Sequence, residues 1–166
     1  MKKIAFMTIL LLSFVSVAFA KISDNQISVG GIYLEQDISK VNAIYGKPKV
    51  NTYNNYAVYG YLKDGCAIDV GCVNNKVVSI YVTSFLGYYR EDNKKIATCD
   101  GIAIGSTEDE LLKIYGNPDD IFYPQNQNDG PVTLSYYSSG TKNMVLQFEM
   151  GNNQKVTGIT VSSYKQ

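Results

Sequence analysis

Residues 102–118, IAIGSTEDELLKIYGNP, repeat without a gap much of an earlier stretch, residues 32–48, IYLEQDISKVNAIYGKP. A chain that spells one local pattern twice is constrained to fold it in the same way twice. In the later copy Thr107 stands at a helix N-cap, and Glu110 completes a T-x-x-E capping box. Glu108 and Asp109 add negative charge where the helix dipole favours it. Leu111, Ile114 and Tyr115 form an apolar stripe at helical spacing. Gly116 and Pro118 then supply the stop. The earlier copy sets Asp37 at the cap, Val41, Ile44 and Tyr45 on the stripe, and Gly46 and Pro48 at the stop. Lys40 replaces the capping-box Glu, which predicts the weaker of two helices. Both are short and marginal alone in water, so each must pack against the strands that follow it.

Three strand-like runs follow each helix. They lie at 57–62, 66–73 and 77–84, then at 132–137, 144–150 and 156–163. Asn74-Asn75 and Asn152-Asn153 mark the matching turns, since Asn tolerates the positive φ of a tight hairpin. Alternation places Ile68, Val70, Ile80, Val82, Leu146, Phe148, Ile159 and Val161 toward the helices. The opposite face carries Asp69, Ser79, Tyr81 and Thr83, matched by Gln147, Gly158, Thr160 and Ser162. Residues 48–56 and 122–131 read as loops. The expected fold is α+β: two tandem copies of a short helix plus a three- or four-stranded antiparallel meander, with the helices on one sheet face.

The segment 1–20 reads as a secretory signal peptide. Met1-Lys2-Lys3 is a basic head, an apolar run follows, and Ala18-Phe19-Ala20 places cleavage before Lys21. The rival reading is an uncleaved membrane anchor. No second long apolar run follows, so no membrane insertion is expected after cleavage. The protein is expected to be exported, to the periplasm or the extracellular space. The first repeat spans 21–86, a polar connection 87–95, and the second repeat 96–166. Fifteen basic residues balance fifteen acidic ones, which argues against nucleic acid or anionic lipid as a partner.

There are three cysteines. Cys66 and Cys72 lie in one apparent strand, where the intervening residues span roughly 20 Å, too far for a bridge. Cys66 matches Met144, a core position, so the expected disulfide joins Cys72 to Cys99. The alternative is three unpaired, mostly buried thiols.

The chain has no His, which removes Ser-His-Asp and Cys-His catalysis and the commonest metal ligand. Ser139-Gly140-Thr141-Lys142 spells S-x-x-K, but falls in a turn between strands and lacks its partner motifs. The acidic run 108–110 is accounted for by helix-start electrostatics. Asn126, Asn128 and Asp129 echo a calcium loop, yet Tyr137 stands where the closing Glu would be. No enzyme, cofactor or metal is expected.

A capped helix ending Y-G-x-P, followed by a meander with Tyr-bearing, apolar and β-branched strands, resembles a known group. The pieces are Gly105-Ser106-Thr107, Leu111, Tyr115-Gly116 and Pro118, then Leu134, Tyr136, Leu146, Phe148, Val156 and Ile159. The pattern is similar to the tandem-repeat scaffold of the β-lactamase inhibitor proteins. Each copy also resembles the small lipoprotein of the outer-membrane barrel-assembly machinery. The resemblance implies a sheet whose aromatic and polar side chains grip another protein. It assigns that role to Tyr59, Tyr61, Tyr81 and Tyr137, and the loop residue Tyr123 joins them.

Fourteen tyrosines are the one unusual composition signal. Tyr supplies rigid contact area at low entropic cost, although it is also a good strand residue. The expected function is therefore an exported, non-enzymatic module that binds a protein, inhibitor-like or an envelope-assembly accessory. The alternative is a structural envelope protein that binds glycan or cell-wall polymer.

Overall fold

The two short helices form where the caps place them. In the computed structural model, which describes residues 22–85, 95–125 and 130–164, α1 spans Ile38–Tyr45 and α2 spans Glu108–Tyr115. Asp37 Oδ1 accepts from the Ser39 N–H at 3.0 Å and from its hydroxyl at 2.7 Å. At α2 the Glu110 N–H donates to Thr107 Oγ1 at 3.2 Å, and the Thr107 N–H donates to Glu110 Oε2 at 2.8 Å, closing the capping box. One further donor of each first turn is met by a hairpin: the Ile38 N–H donates to Asn75 O, and the Glu108 N–H to Gln154 O, both at 3.0 Å. Gly46 and Gly116 end the helices at φ 84° and 71° with ψ −152° and −157°, a region that essentially only glycine enters. The expected signal segment at 1–20 and nearly all of the connection at 87–95 lie outside the described residues.

The described residues form eight strands: β1 Lys49–Tyr53, β2 Tyr56–Lys63, β3 Cys66–Val73, β4 Lys76–Ser84, β5 Asp120–Phe122, β6 Val132–Tyr137, β7 Met144–Met150 and β8 Val156–Ser163. They form one antiparallel sheet in the order β1-β2-β3-β4-β8-β7-β6-β5. This corrects the expectation of two tandem helix-plus-meander copies. β4 pairs with β8 from Ser79↔Ser162 to Thr83↔Gly158, so the strands make a single eight-stranded sheet. Among the described residues α-helix is confined to two eight-residue segments, with a 3-10 turn at Asp24–Gln26. The physical reason is backbone satisfaction: a strand that closes a meander leaves a row of unpaired N–H and C=O groups, and pairing β4 with β8 removes both rows.

The stretch 48–56, read as a loop, contains the edge strand β1. The other edge strand, β5, is missing from the sequence reading and ends at Phe122, where the second loop is expected to begin. β1 is exposed along its whole length, and so is β5. Neither carries the burial alternation by which a strand is recognised. The turn 151–154 also differs from expectation, since the positive φ falls on Gln154, not on Asn152 or Asn153.

The core sits on one face of the sheet. Ile68, Val70, Ile80, Val82, Leu146, Phe148, Ile159 and Val161 are all fully buried there. Ile38, Val41, Leu111 and Tyr115 from the helices join the same cluster. Ile44 and Ile114, expected on the buried stripe, are 49% and 42% exposed. The residues one helical turn apart, Val41 with Tyr45 and Leu111 with Tyr115, point inward instead. Rings lock the helices to the strands: Tyr45 lies 5.6 Å from Tyr61, and Tyr115 lies 5.4 Å from Tyr136 and 5.6 Å from Phe148. The first described residues add a strap. Ile22 and Ile27 are buried, the Ser139 N–H donates to Ile22 O at 2.8 Å, and the Gly30 N–H donates to Ala97 O at 2.8 Å.

Candidate functional site

Residues directly opposite one another in antiparallel strands share a face. The pairing carries one row across seven strands: Gly60, Asp69, Tyr81, Thr160, Gln147, Ser135 and Asp120. It lies on the face turned away from the helices. The neighbouring rows bring Ser79 opposite Ser162, and Thr83 opposite Gly158 and then Glu149.

These polar side chains bind one another. The Tyr81 hydroxyl donates to Glu149 Oε2 at 3.1 Å. Tyr56 and Ser79 join their hydroxyls at 3.2 Å, and Gln147 Nε2 donates to Ser135 Oγ at 3.1 Å. Glycines make room for this layer. The Glu149 carboxylate lies over Gly158 and the Tyr56 hydroxyl over Gly71, where an added Cβ would collide with them. Burial, and then the Glu149 carboxylate, raise the Tyr81 pKa. The ring is therefore a neutral hydrogen-bond donor at physiological pH. At the margin of this face Tyr137 packs against Tyr164, ring centroids 4.9 Å apart, and its backbone N–H donates to Asp119 Oδ2 at 2.8 Å. Burial, then Asp120 and Asp119, raise the Tyr137 phenol as well.

The five tyrosines singled out from sequence therefore separate. Tyr81 and Tyr137 lie on the face away from the helices. Tyr59 and Tyr61 are corrected to the helix side. Tyr61 is 4% exposed and donates to Asn42 Oδ1 at 2.7 Å, while Tyr59 packs against the core. Tyr123 is 67% exposed, beside a cleft at the β5 end. Glu149 and Gly71 escaped the sequence reading; a glycine inside an apolar strand was the available signal, because it marks the close approach of another group.

The expected Cys72–Cys99 bridge is not formed. Cys72 is a buried thiol whose pKa burial pushes up to about 11. Cys99 lies exposed, with its sulfur 2.9 Å from Gln26 O. Burial, then Asp100, raise the Cys99 pKa too, which lowers the fraction present as the reactive thiolate. Among the described residues no group of three or more Cys, Asp or Glu side chains is placed to hold a metal ion.

The cleft has a volume of about 640 Å³. Ile121, Leu134 and Met150 line it, and Glu108, Asn152 and Gln154 contribute its polar side. Its walls belong to the helix side of the sheet, since Leu134 pairs with Phe148 and Ile121 with Leu134. The arrangement on both faces offers hydrogen bonding, ring contact and apolar contact.

The fold superposes on several solved structures. A cysteine-rich secretory protein from Staphylococcus aureus subsp. aureus Mu50 matches with a TM-score of 0.56 at 16% identity, over 87% of this chain and 49% of that one. A DUF4309 family protein from Bacillus subtilis subsp. subtilis str. 168 matches with a TM-score of 0.51 at 17% identity, over 81% of this chain and 83% of that one. An extracellular protein containing a SCP domain from Bacillus anthracis str. Ames gives 0.52 at 12% identity, over 78% and 44%. This chain thus spans about half the length of the staphylococcal protein, and the likeness at these identities is one of fold. A candidate β-lactamase inhibitor protein from Streptococcus mutans aligns with a TM-score of only 0.33, too low to carry an argument. The expected likeness to the barrel-assembly lipoprotein, and the tandem-repeat scaffold itself, gain no support from these comparisons. No curated protein matches. The model of a family described as a domain of unknown function with a solved structure, DUF3862, matches residues 12–160, and the protein belongs to the DUF3862 family.

Proposed function

We propose that the protein is an exported, non-enzymatic module that binds another protein through the sheet face turned away from its helices. The observation that carries this reading is the row from Asp69 to Ser135, with Tyr81 near its centre and held by Glu149 at 3.1 Å. Binding costs free energy when side chains must be ordered on contact. Rings and amides already tied to neighbours have less freedom to lose. Tyr81 and Tyr137 supply rigid amphipathic contact area, and Gly158, on β8 between their strands, makes room for the Glu149 carboxylate that holds Tyr81. The basic head, apolar run and A-x-A pattern of residues 1–20 support export. The secretory and extracellular descriptions of superposed proteins agree with it. The absence of His and the raised pKa of Cys99 support a role without covalent chemistry.

The test is retention of exported proteins from the producing cell on immobilised protein lacking residues 1–20. The native protein is expected to hold a discrete partner, and Tyr81→Ala with Tyr137→Ala to lose it while melting cooperatively. Retention that survives both substitutions would reject this face as the contact surface.

A further inference from the structure

The cleft at the β5 end differs from the tyrosine face in one chemical respect. The side chains of Glu108, Asn152 and Gln154 make no hydrogen bond among the described residues. On the opposite face Tyr81 is bonded to Glu149, and Gln147 to Ser135. The cleft therefore combines apolar walls with solvent-accessible hydrogen-bonding groups that no other described side chain engages.

We infer that this cleft binds a short stretch of neutral polysaccharide. A pyranose ring has an apolar C–H face and a rim of hydroxyls, each both donor and acceptor. Ile121, 38% exposed, offers the apolar surface together with Pro131 and Val132, over a floor formed by the buried Leu134 and Met150. A side-chain amide is likewise both donor and acceptor, so Asn152 and Gln154 match hydroxyls in either direction. The Glu108 carboxylate accepts from two hydroxyls on adjacent carbons. Tyr123, two-thirds exposed at the margin, presents a ring against which a further sugar stacks. No Lys or Arg lines the cleft among the described residues, which disfavours phosphorylated or carboxylated polymers. Its volume of about 640 Å³ suits several sugar units better than one. The site is separate from the proposed protein contact, because its walls lie on the helix side of the sheet.

Calorimetric titration of the protein with cellotetraose, maltotetraose and N-acetylchitotetraose tests this. At least one tetrasaccharide is expected to bind saturably, with a Kd of about 1 mM or tighter. Glu108→Gln should weaken that binding about tenfold. Gln154→Gly also removes a contact, and it suits the backbone, whose φ there is 56°. Lys40→Ala, on α1, should leave binding unchanged. Failure of all three sugars to bind would overturn the inference, as would sugar binding indifferent to both cleft variants. Displacement of the sugar by a basic peptide with higher affinity would reassign the cleft to a protein segment and equally overturn it.

Discussion

The two faces of the sheet are built from the same eight strands and solve opposite problems. On the helix side, aliphatic and aromatic side chains are buried almost completely, and the Tyr115, Tyr136 and Phe148 rings meet at 5.4 to 5.9 Å. On the other side glycines alternate with hydroxyl, amide and carboxylate groups that hydrogen-bond across strands. The first face stabilises by removing apolar area from water, at about 25 cal/mol per Å². The second gains little net stability, because each of its hydrogen bonds replaces one to water. The difference teaches that stability and recognition are separable in this molecule. A substitution can be sorted by the face on which it lies.

The largest expected effect breaks the helix side. Phe148→Ala should cost about 3–5 kcal/mol, read as a fall in melting temperature. If Tyr81→Ala destabilised as much, the contrast between the faces would disappear. Next comes alkaline unfolding. Burial raises the Tyr45 and Tyr61 phenols to about 12. The folded chain thus keeps protons that the unfolded chain releases near pH 10. Their contribution is complete below pH 10 and is lost as pH rises through 12. Tyr45→Phe and Tyr61→Phe should each make that alkaline loss shallower, as followed by circular dichroism.

A smaller effect sharpens the other face. Gly158→Ala should cost about 1 kcal/mol, because the new methyl forces the Glu149 carboxylate to swing away from its place beside Tyr81. Combining it with Glu149→Ala should recover part of the loss in a double-mutant cycle. The smallest effect is that of Tyr81→Phe. It removes one half-exposed hydrogen bond and should shift stability by at most about 1 kcal/mol.

Much of this was legible in the chain. The Thr107 capping box, the Asp37 cap and the alternation of residues 66–73, 77–84, 144–150 and 156–163 specify local structure through neighbouring residues alone. What was not legible depends on distant partners. The β1 and β5 edges pair on one side only and bury nothing, so they leave no alternation to read. In β2, Tyr59 and Tyr61 flank Gly60 with equal parity, and their face is set by the register with β3, which puts them opposite Val70 and Ile68, where Asn42 on α1 accepts the Tyr61 hydroxyl. The joining of β4 to β8 rests on pairing between distant segments, which no local pattern announces. The Tyr81–Glu149 contact is likewise long-range, linking residues 68 positions apart. The candidate contact face was thus visible as a list of polar positions, but its internal bonding was not.

Site-specific photo-crosslinking from position 160, the residue paired with Tyr81, tests the central claim most directly. With a photoreactive phenylalanine in place of Thr160, the account predicts a crosslink to one discrete exported protein in intact cells. It also predicts that the same probe at Ile44, on the outside of α1, captures nothing. Crosslinks from position 44 with none from position 160 would contradict it.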